Sequence, residues 1–186
     1  MASIWVWVAV IAIVVILLWW IVATYNRIIR LENTIDNAWG QIDVQLKRRA
    51  DLIPNLVETV KGYAAHEKGV LEGVTAARAG LLNAKTPAEA NLADNMLTQA
   101  LGRLFAVAEA YPDLKANQNF LQLQDELTHT ENKVSFARQY YNDTVLGFNN
   151  AIRTFPGSVF AGMMNRVKKA MLEIPPESRE VPKVKF

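Results

Sequence analysis

The sequence predicts an all-α membrane protein, with one N-terminal transmembrane helix followed by an up-and-down, four-helix-bundle-like cytoplasmic domain. Three observations support this fold class. Residues 4–23 contain no charged side chain. From Tyr25 to Ile152 the apolar residues recur every three or four positions, which is the period of a helix with one buried face. No window alternates apolar and polar residues between turn signals, so no strand is predicted.

The first element is the apolar segment 4–23, IWVWVAVIAIVVILLWWIVA. A helix of this length extends about 30 Å, the thickness of the hydrocarbon core of a bilayer. Aromatic residues that favour the two membrane interfaces flank it: Trp5, Trp7, Trp19, Trp20 and Tyr25. A cleaved signal peptide would need a basic start and a shorter apolar run, and residues 1–3 carry no charged side chain. We therefore expect an uncleaved anchor in the lipid bilayer.

Positive charge beside the anchor predicts its orientation. No lysine or arginine precedes the segment, whereas Arg27 and Arg30 follow it closely. Cytoplasmic flanks of transmembrane helices carry an excess of lysine and arginine. We therefore expect the N-terminus outside the cell membrane and the main domain in the cytoplasm.

The main domain, residues 25–157, is predicted as a bundle of four helices. Its first apolar stripe runs from Leu31 to Ala64 and resumes at Leu71, too long for the later helices to cover as one rod. Pro54 removes a backbone donor, and its ring crowds the carbonyl of Ala50. We expect a break at Pro54, which leaves helices of comparable length suited to an up-and-down bundle. One kinked long helix is the alternative.

The later helices have clearer boundaries. Thr86-Pro87-Ala88-Glu89 combines a capping residue, a proline at the first helical position and a capping-box glutamate. The stripe that follows places Leu92 and Met96 among its core positions and ends before Pro112. A last helix is expected from near Asn117 until Phe155-Pro156-Gly157 stops it.

Residues 158–173 form a basic amphipathic segment. One side is expected to carry Phe160, Met163, Met164, Val167 and Met171, and the other Arg166, Lys168 and Lys169. Such a segment can lie on a membrane surface, with its apolar side in the lipid. It can equally serve as the last packing element of the bundle, and the sequence favours neither interpretation.

The end of the chain, residues 174–186, reads IPPESREVPKVKF. Its prolines exclude a helix and predict an extended tail. The last three residues, Val184, Lys185 and Phe186, alternate apolar and polar side chains, a pattern that can add as a strand to a sheet edge of a partner. We therefore treat them as candidate partner-binding residues. The pattern is short, and many disordered tails match it by chance.

Composition excludes several functional classes. The chain has no cysteine, which rules out disulfides, thiolate catalysis and cysteine metal sites. Its 20 basic and 18 acidic residues are mixed along the sequence, so no basic face for nucleic acid is predicted. About 160 residues after the anchor suffice for one domain with a hydrophobic core.

Charged motifs give no catalytic or metal centre. Glu126 and His129 have the Glu-x-x-His spacing of di-iron bundles, but such sites need a second pair and two more glutamates. Four acidic residues recur every seven or eight positions, which is typical of an exposed helix face: Asp36, Asp43, Asp51 and Glu58. We interpret the basic run 47–49 as solvated or partner-contacting. No cofactor is expected.

The run QIDVQLKRRADLIPNLVETVKGYAAHE, Gln41 to Glu67, resembles the LemA family. The similarity continues through Tyr111 to Leu127 and Phe155-Pro156, and departs beyond Gly162 until the PKVKF ending. The resemblance implies one N-terminal anchor, a cytoplasmic four-helix bundle and no catalytic residues. Family members accompany membrane-embedded metalloproteases, and one branch is tied to magnetosome membranes, which implies scaffolding or adaptor work.

The resulting functional hypothesis is a non-enzymatic membrane scaffold that forms homo-oligomers and presents its bundle and tail to protein partners. An adaptor for a membrane protease or transporter, working through the tail, is the first alternative. A metal-dependent bundle oxidoreductase is the second, which the single Glu-x-x-His pair disfavours.

Overall fold

A computed structural model describes residues 2–173, with side chains from residue 4 onward. This part of the chain forms six helices: α1 (Ala2–Lys61), α2 (Lys68–Asn83), α3 (Pro87–Ala108), α4 (Pro112–Lys115), α5 (Gln118–Arg153) and α6 (Gly157–Met163). No strand occurs among the described residues. The predicted all-α, bundle-like fold class is therefore confirmed.

The described residues divide into two compact units, and α1 and α5 contribute to both. The first unit contains residues 2–38 and 141–171. Its core contains Ile28 and Ile35 from α1 and Val145 and Phe148 from the C-terminal part of α5. The two helices run in opposite directions, because Trp20 and Phe155 lie in ring contact while Asp36 lies near Tyr141.

The second unit contains residues 39–140 together with 172–173. Four helices meet in it: the C-terminal part of α1, then α2, α3 and the first part of α5. Apolar positions predicted for α1 are buried here, namely Ile42, Leu46, Ile53, Leu56 and Val60. The other three helices contribute buried residues to the same unit, namely Val74, Leu97, Leu104, Phe120 and Val134.

The predicted break at Pro54 is wrong, because α1 continues through this residue to Lys61. The proline ring is exposed, so it crowds no neighbouring helix. Pro54 has no N–H to donate to the carbonyl of Ala50. This carbonyl accepts a hydrogen bond of 2.8 Å from Nε of Arg78 instead. The chain reverses direction instead at residues 62–67, between α1 and α2.

The predicted starts of the later helices are confirmed. The Thr86 hydroxyl accepts a hydrogen bond from the backbone N–H of Glu89 (3.2 Å) at the start of α3. The Glu89 carboxylate in turn accepts from the backbone N–H of Lys85 (2.9 Å). At the start of α5, the Asn117 side-chain oxygen accepts from the backbone N–H of Phe120 (3.0 Å). Side chains thus satisfy donors that a helix start leaves unpaired.

The predicted core stripe of α3 is wrong at two positions. Leu92 is 64% exposed and Met96 is 56% exposed. Four other positions of the predicted stripe are buried, namely Leu97, Leu101, Leu104 and Ala108, and Ala90 and Asp94 lie on the same face. Leu92 and Met96 lie off this face, and Asp94 on it pairs with Arg49 of α1 and Arg138 of α5.

Candidate functional site

The residues expected at the membrane interfaces belong to the first unit. All side chains of residues 4–22 are exposed, including Trp5, Trp7, Trp19 and Trp20, and burial by the rest of the unit begins beyond them. Tyr25, Arg27 and Arg30 are also exposed. Among the described residues, α1 is the one helix that is long and apolar enough to cross a membrane. The interface role of these residues stays a prediction.

The segment 158–173 is helical only as far as Met163. Beyond it, Arg166 forms an ion pair of 3.0 Å with Glu32 of α1, and Lys169 lies 3.6 Å from Asp36. The backbone of Lys169 also exchanges two hydrogen bonds with the side chain of Asn149 on α5. Two of the predicted basic residues are thus held against α1 and α5.

The other residues of this segment differ in exposure. Phe160 and Met164 are half-buried, whereas Met163, Val167, Lys168 and Met171 are exposed. A membrane-surface role for the segment stays a prediction. The candidate partner-binding residues Val184, Lys185 and Phe186 lie outside the described residues, and their role stays a prediction as well.

The second unit contains a cluster of four charged side chains, which we call the buried charge cluster: Arg49 of α1, Asp94 of α3 and Arg138 of α5, which are buried, and Glu131 of α5, which is partly exposed. Asp94 is fully buried and lies between the two arginines. Nη1 of Arg49 donates to one carboxylate oxygen of Asp94, and Nη2 of Arg138 donates to the other, each at 2.5 Å. Arg49 also pairs with Glu131.

Electrostatics inside this buried charge cluster are balanced, because two arginines face two carboxylates. Loss of hydration raises the pKa of the Glu131 carboxyl, and the charges of Arg49 and Arg138 oppose that rise. Both oxygens of Asp94 are engaged by guanidinium groups and are not free to act as a base. The cluster therefore ties α1, α3 and α5 together.

The sequence analysis missed this cluster and was wrong about Arg49, which is buried rather than solvated. Lys47 and Arg48 are exposed as expected, and they pair with Asp43 (2.7 Å) and Glu126 (2.9 Å). A signal was present in the sequence. Arg49 lies three residues after the core residue Leu46, and the other cluster members likewise lie three or four residues from buried apolar residues of their own helices.

The Glu-x-x-His pair faces solvent, as the sequence analysis expected. Glu126 pairs with Arg48, and the exposed His129 contacts Asp125. In residues 2–173, no group of three or more histidines, aspartates or glutamates is placed to hold a metal ion.

An apolar groove of about 320 Å³ lies between α2 and α3 in the second unit, and we call it the α2–α3 groove. Small residues form most of its walls: Gly73, Ala77 and Gly80 from α2, with Ala93 and Ala100 from α3. A Cβ added at Gly73 or Gly80 would meet nothing within 4 Å. Met96 lines the groove, and Leu92 lies one turn before it on α3. These two exposed side chains form an apolar ridge beside open space.

Comparison with known proteins places this fold in a family. The family model described as LemA family matches residues 38–186. Protein LemA of Metamycoplasma hominis is 31% identical over 134 residues, which cover 70% of this chain and 60% of that protein. Magnetosome protein MamQ 2 of Paramagnetospirillum magneticum is 26% identical over 163 residues, covering 74% of this chain and 60% of that protein.

Magnetosome protein MamQ of Magnetospirillum gryphiswaldense is 24% identical over 163 residues. The chain spans about 60% of the length of each of these relatives. The resemblance in the run from Gln41 to Glu67 and the family match over residues 38–186 agree. This chain belongs to the LemA family.

Proposed function

We propose that this chain is a non-enzymatic, single-pass membrane scaffold that self-associates through the α2–α3 groove. The observation that carries this proposal is the exposed apolar ridge of Leu92 and Met96 beside a groove walled by small residues. Residues four apart on a helix share one face, so the two side chains present a continuous apolar surface. Such a surface is stabilised when a partner removes it from water.

The occupant that fits this surface best is a second copy of the chain. Ridge and groove lie on the same face of the α2–α3 pair, so a twofold arrangement can place the ridge of each copy in the groove of the other. Gly73 and Gly80 keep the groove open, because even an added Cβ at either position would meet nothing within 4 Å. Side-chain ridges entering grooves between small residues are the usual way in which helices pack closely.

Anchoring supports the self-association. The apolar part of α1 is long enough to span the bilayer, and confinement to a membrane raises the effective concentration of neighbouring copies. Arg27 and Arg30 favour the cytoplasmic side for the domain. Arg153 adds to this charge, because the α5 end that carries it lies near Trp20. The assembled copies then present their helical domains and tails to other membrane proteins.

No catalytic step is assigned. Each carboxylate of the buried charge cluster is paired with an arginine, and the partly buried Glu32 is paired with Arg166. The domain thus offers surfaces for assembly, which is the property expected of a scaffold.

The test uses the absence of cysteine, because a single introduced cysteine has no background. Full-length Met96→Cys is expressed in membranes and treated with a short bifunctional thiol reagent. We expect a crosslinked dimer, because Met96 borders the proposed interface. The matched control is Leu121→Cys, an exposed apolar position on α5 outside the groove, which should stay monomeric.

A second substitution tests the groove itself. Gly80→Leu in the Met96→Cys background places a large side chain in the groove at a position where an added Cβ meets nothing within 4 Å, and it should abolish the crosslink. The proposed interface is wrong if Met96→Cys gives no dimer, or if Gly80→Leu leaves the dimer unchanged while helix content is retained.

A further inference from the structure

The turn between α5 and α6 lies beside the apolar part of α1, within the first unit. The ring centroid of Phe155 is 5.8 Å from that of Trp20, with the planes tilted by 54°. Trp20 precedes Ala23, the last residue of the apolar run, by three positions, or about 4.5 Å along the helix axis. Phe155 therefore lies at the level of the apolar run, and about 10 Å of helix separates that level from Arg27.

The same turn exposes an apolar surface. Phe155 is 75% exposed, Val159 is 54% exposed and Met163 is 77% exposed. Val159 and Met163 lie one turn apart on α6 and share a face, whereas Gly157 and Ala161 on the same helix are buried. We call Phe155, Val159 and Met163 the apolar edge of α6. In water, most of the surface of these three large apolar side chains would be hydrated.

The surroundings of the apolar edge indicate which partner covers it. The neighbouring side chains on α1, residues 4–22, are all exposed, which is the arrangement of a helix surface that contacts lipid. Arg153 precedes Phe155 by two residues and is exposed, as are Arg27 and Arg30 of α1. Cations beside an apolar surface match the headgroup and acyl layers of an anionic bilayer.

We propose that the apolar edge of α6 inserts into the boundary between headgroups and acyl chains of the bilayer that surrounds α1, an inference that rests on the proposed membrane anchoring of α1. Phe155 enters beside Trp20, and Val159 and Met163 enter along the same face. The helical domain then contacts the membrane at two places, through α1 and through this edge. A phospholipid surface is the partner, because the edge continues the lipid-facing surface of α1.

The test measures depth in the bilayer with single-cysteine variants of the full chain. Phe155→Cys and Val159→Cys are labelled with an environment-sensitive fluorophore and reconstituted in phosphatidylcholine–phosphatidylglycerol vesicles. Quenching is compared between lipids brominated near the headgroup and lipids brominated near the acyl-chain end. The internal reference is Ile13→Cys in the middle of the apolar run, and Leu121→Cys on α5 is the aqueous control.

We expect the labels at 155 and 159 to lose fluorescence to shallowly brominated lipids more than to deeply brominated ones. The label at 13 should be quenched most by deep bromines, and the label at 121 by neither. If the label at position 13 is quenched and the labels at 155 and 159 are not, the apolar edge does not insert, although α1 is anchored in the bilayer. If 13 also escapes quenching, the anchoring itself is wrong and this inference falls with it.

Discussion

Nε of Arg78 on α2 donates a hydrogen bond of 2.8 Å to the backbone carbonyl of Ala50 on α1. This carbonyl is the one that Pro54 leaves without its helical donor, because proline has no N–H. A side chain of α2 thus supplies the donor that the backbone of α1 lacks at this position. The helix that the sequence predicts to break at Pro54 continues to Lys61.

Arg78→Met should lower the free energy of unfolding by about 1–3 kcal/mol, the cost of leaving a shielded acceptor without a donor. The measurement is urea unfolding of the full chain in detergent, followed by circular dichroism. In a Pro54→Ala background the alanine N–H serves Ala50, so the same Arg78→Met change should cost clearly less. Equal losses in both backgrounds would show that the Arg78 contact does not compensate for the proline.

Asp94→Asn should be severely destabilising. It leaves Arg49 and Arg138 facing a neutral amide inside the core, and breaking a buried ion pair typically costs about 3–5 kcal/mol. The matched control is Asp43→Asn, which breaks the exposed pair with Lys47 and should cost less than about 1 kcal/mol. Similar unfolding midpoints for the two variants would contradict a central role for the buried charge cluster.

Glu131→Gln tests the pH dependence of this cluster. Burial raises the pKa of Glu131 above its ordinary value of 4.5, so the folded chain holds this proton more tightly than the unfolded chain. The stability that Glu131 contributes is then fully present below pH 4.5 and is lost as the pH rises through the raised pKa.

The quantity to measure is the free energy of unfolding of the wild type minus that of Glu131→Gln, across this pH range. It should fall from pH 4.5 upward and then level off. A difference that grows with pH would mean that the attraction of Arg49 outweighs burial at Glu131.

Gly157→Ala should displace α6 from α5. An added Cβ would overlap the carbonyl oxygen of Ala151. This oxygen belongs to the backbone of α5, so it cannot move aside as a flexible side chain could. Gly162→Ala is the control, because a Cβ there meets nothing within 4 Å. Limited proteolysis near residues 157–163 should accelerate in the first variant only. Equal protection of both would show that α6 does not pack as closely as the structure has it.

The proposed orientation has its own test. A cysteine at Ser3 should react with an impermeant thiol reagent in intact cells, whereas one at the exposed Val44 should react only after lysis. Replacing Arg27 and Arg30 by glutamine removes the nearby positive charge and should give mixed orientations. Labelling of Val44→Cys in intact cells with the arginines present would reverse the assigned topology.

Local sequence signals predicted much of this fold. The period of the apolar residues located the core face of α1 and α5, and the Thr86 cap and Asn117 located two helix starts. These signals act within a few residues, so they can be read without knowing which helices meet. The apolar run of α1 is local in the same sense.

Features that depend on contacts between helices were missed. Asp94 is stable in the core only because Arg49 and Arg138 reach it from positions 45 and 44 residues away. Leu92 and Met96 are exposed because they lie off the face of α3 that carries Asp94. The donor that replaces the missing N–H of Pro54 comes from Arg78, which is 28 residues from its acceptor Ala50.

The ring contact between Trp20 and Phe155 has a mechanical consequence. A domain connected to the membrane by a single helix can rotate about the axis of that helix. A second contact beside the helix, such as that of Phe155 with Trp20, opposes this rotation. A transmembrane helix responds to a bilayer of different thickness by tilting or kinking, which can move the residues at its ends. In a thinner or thicker membrane, a displacement of Trp20 would displace Phe155 and the end of α5. The thickness of the bilayer would then change the strain on the folded domain.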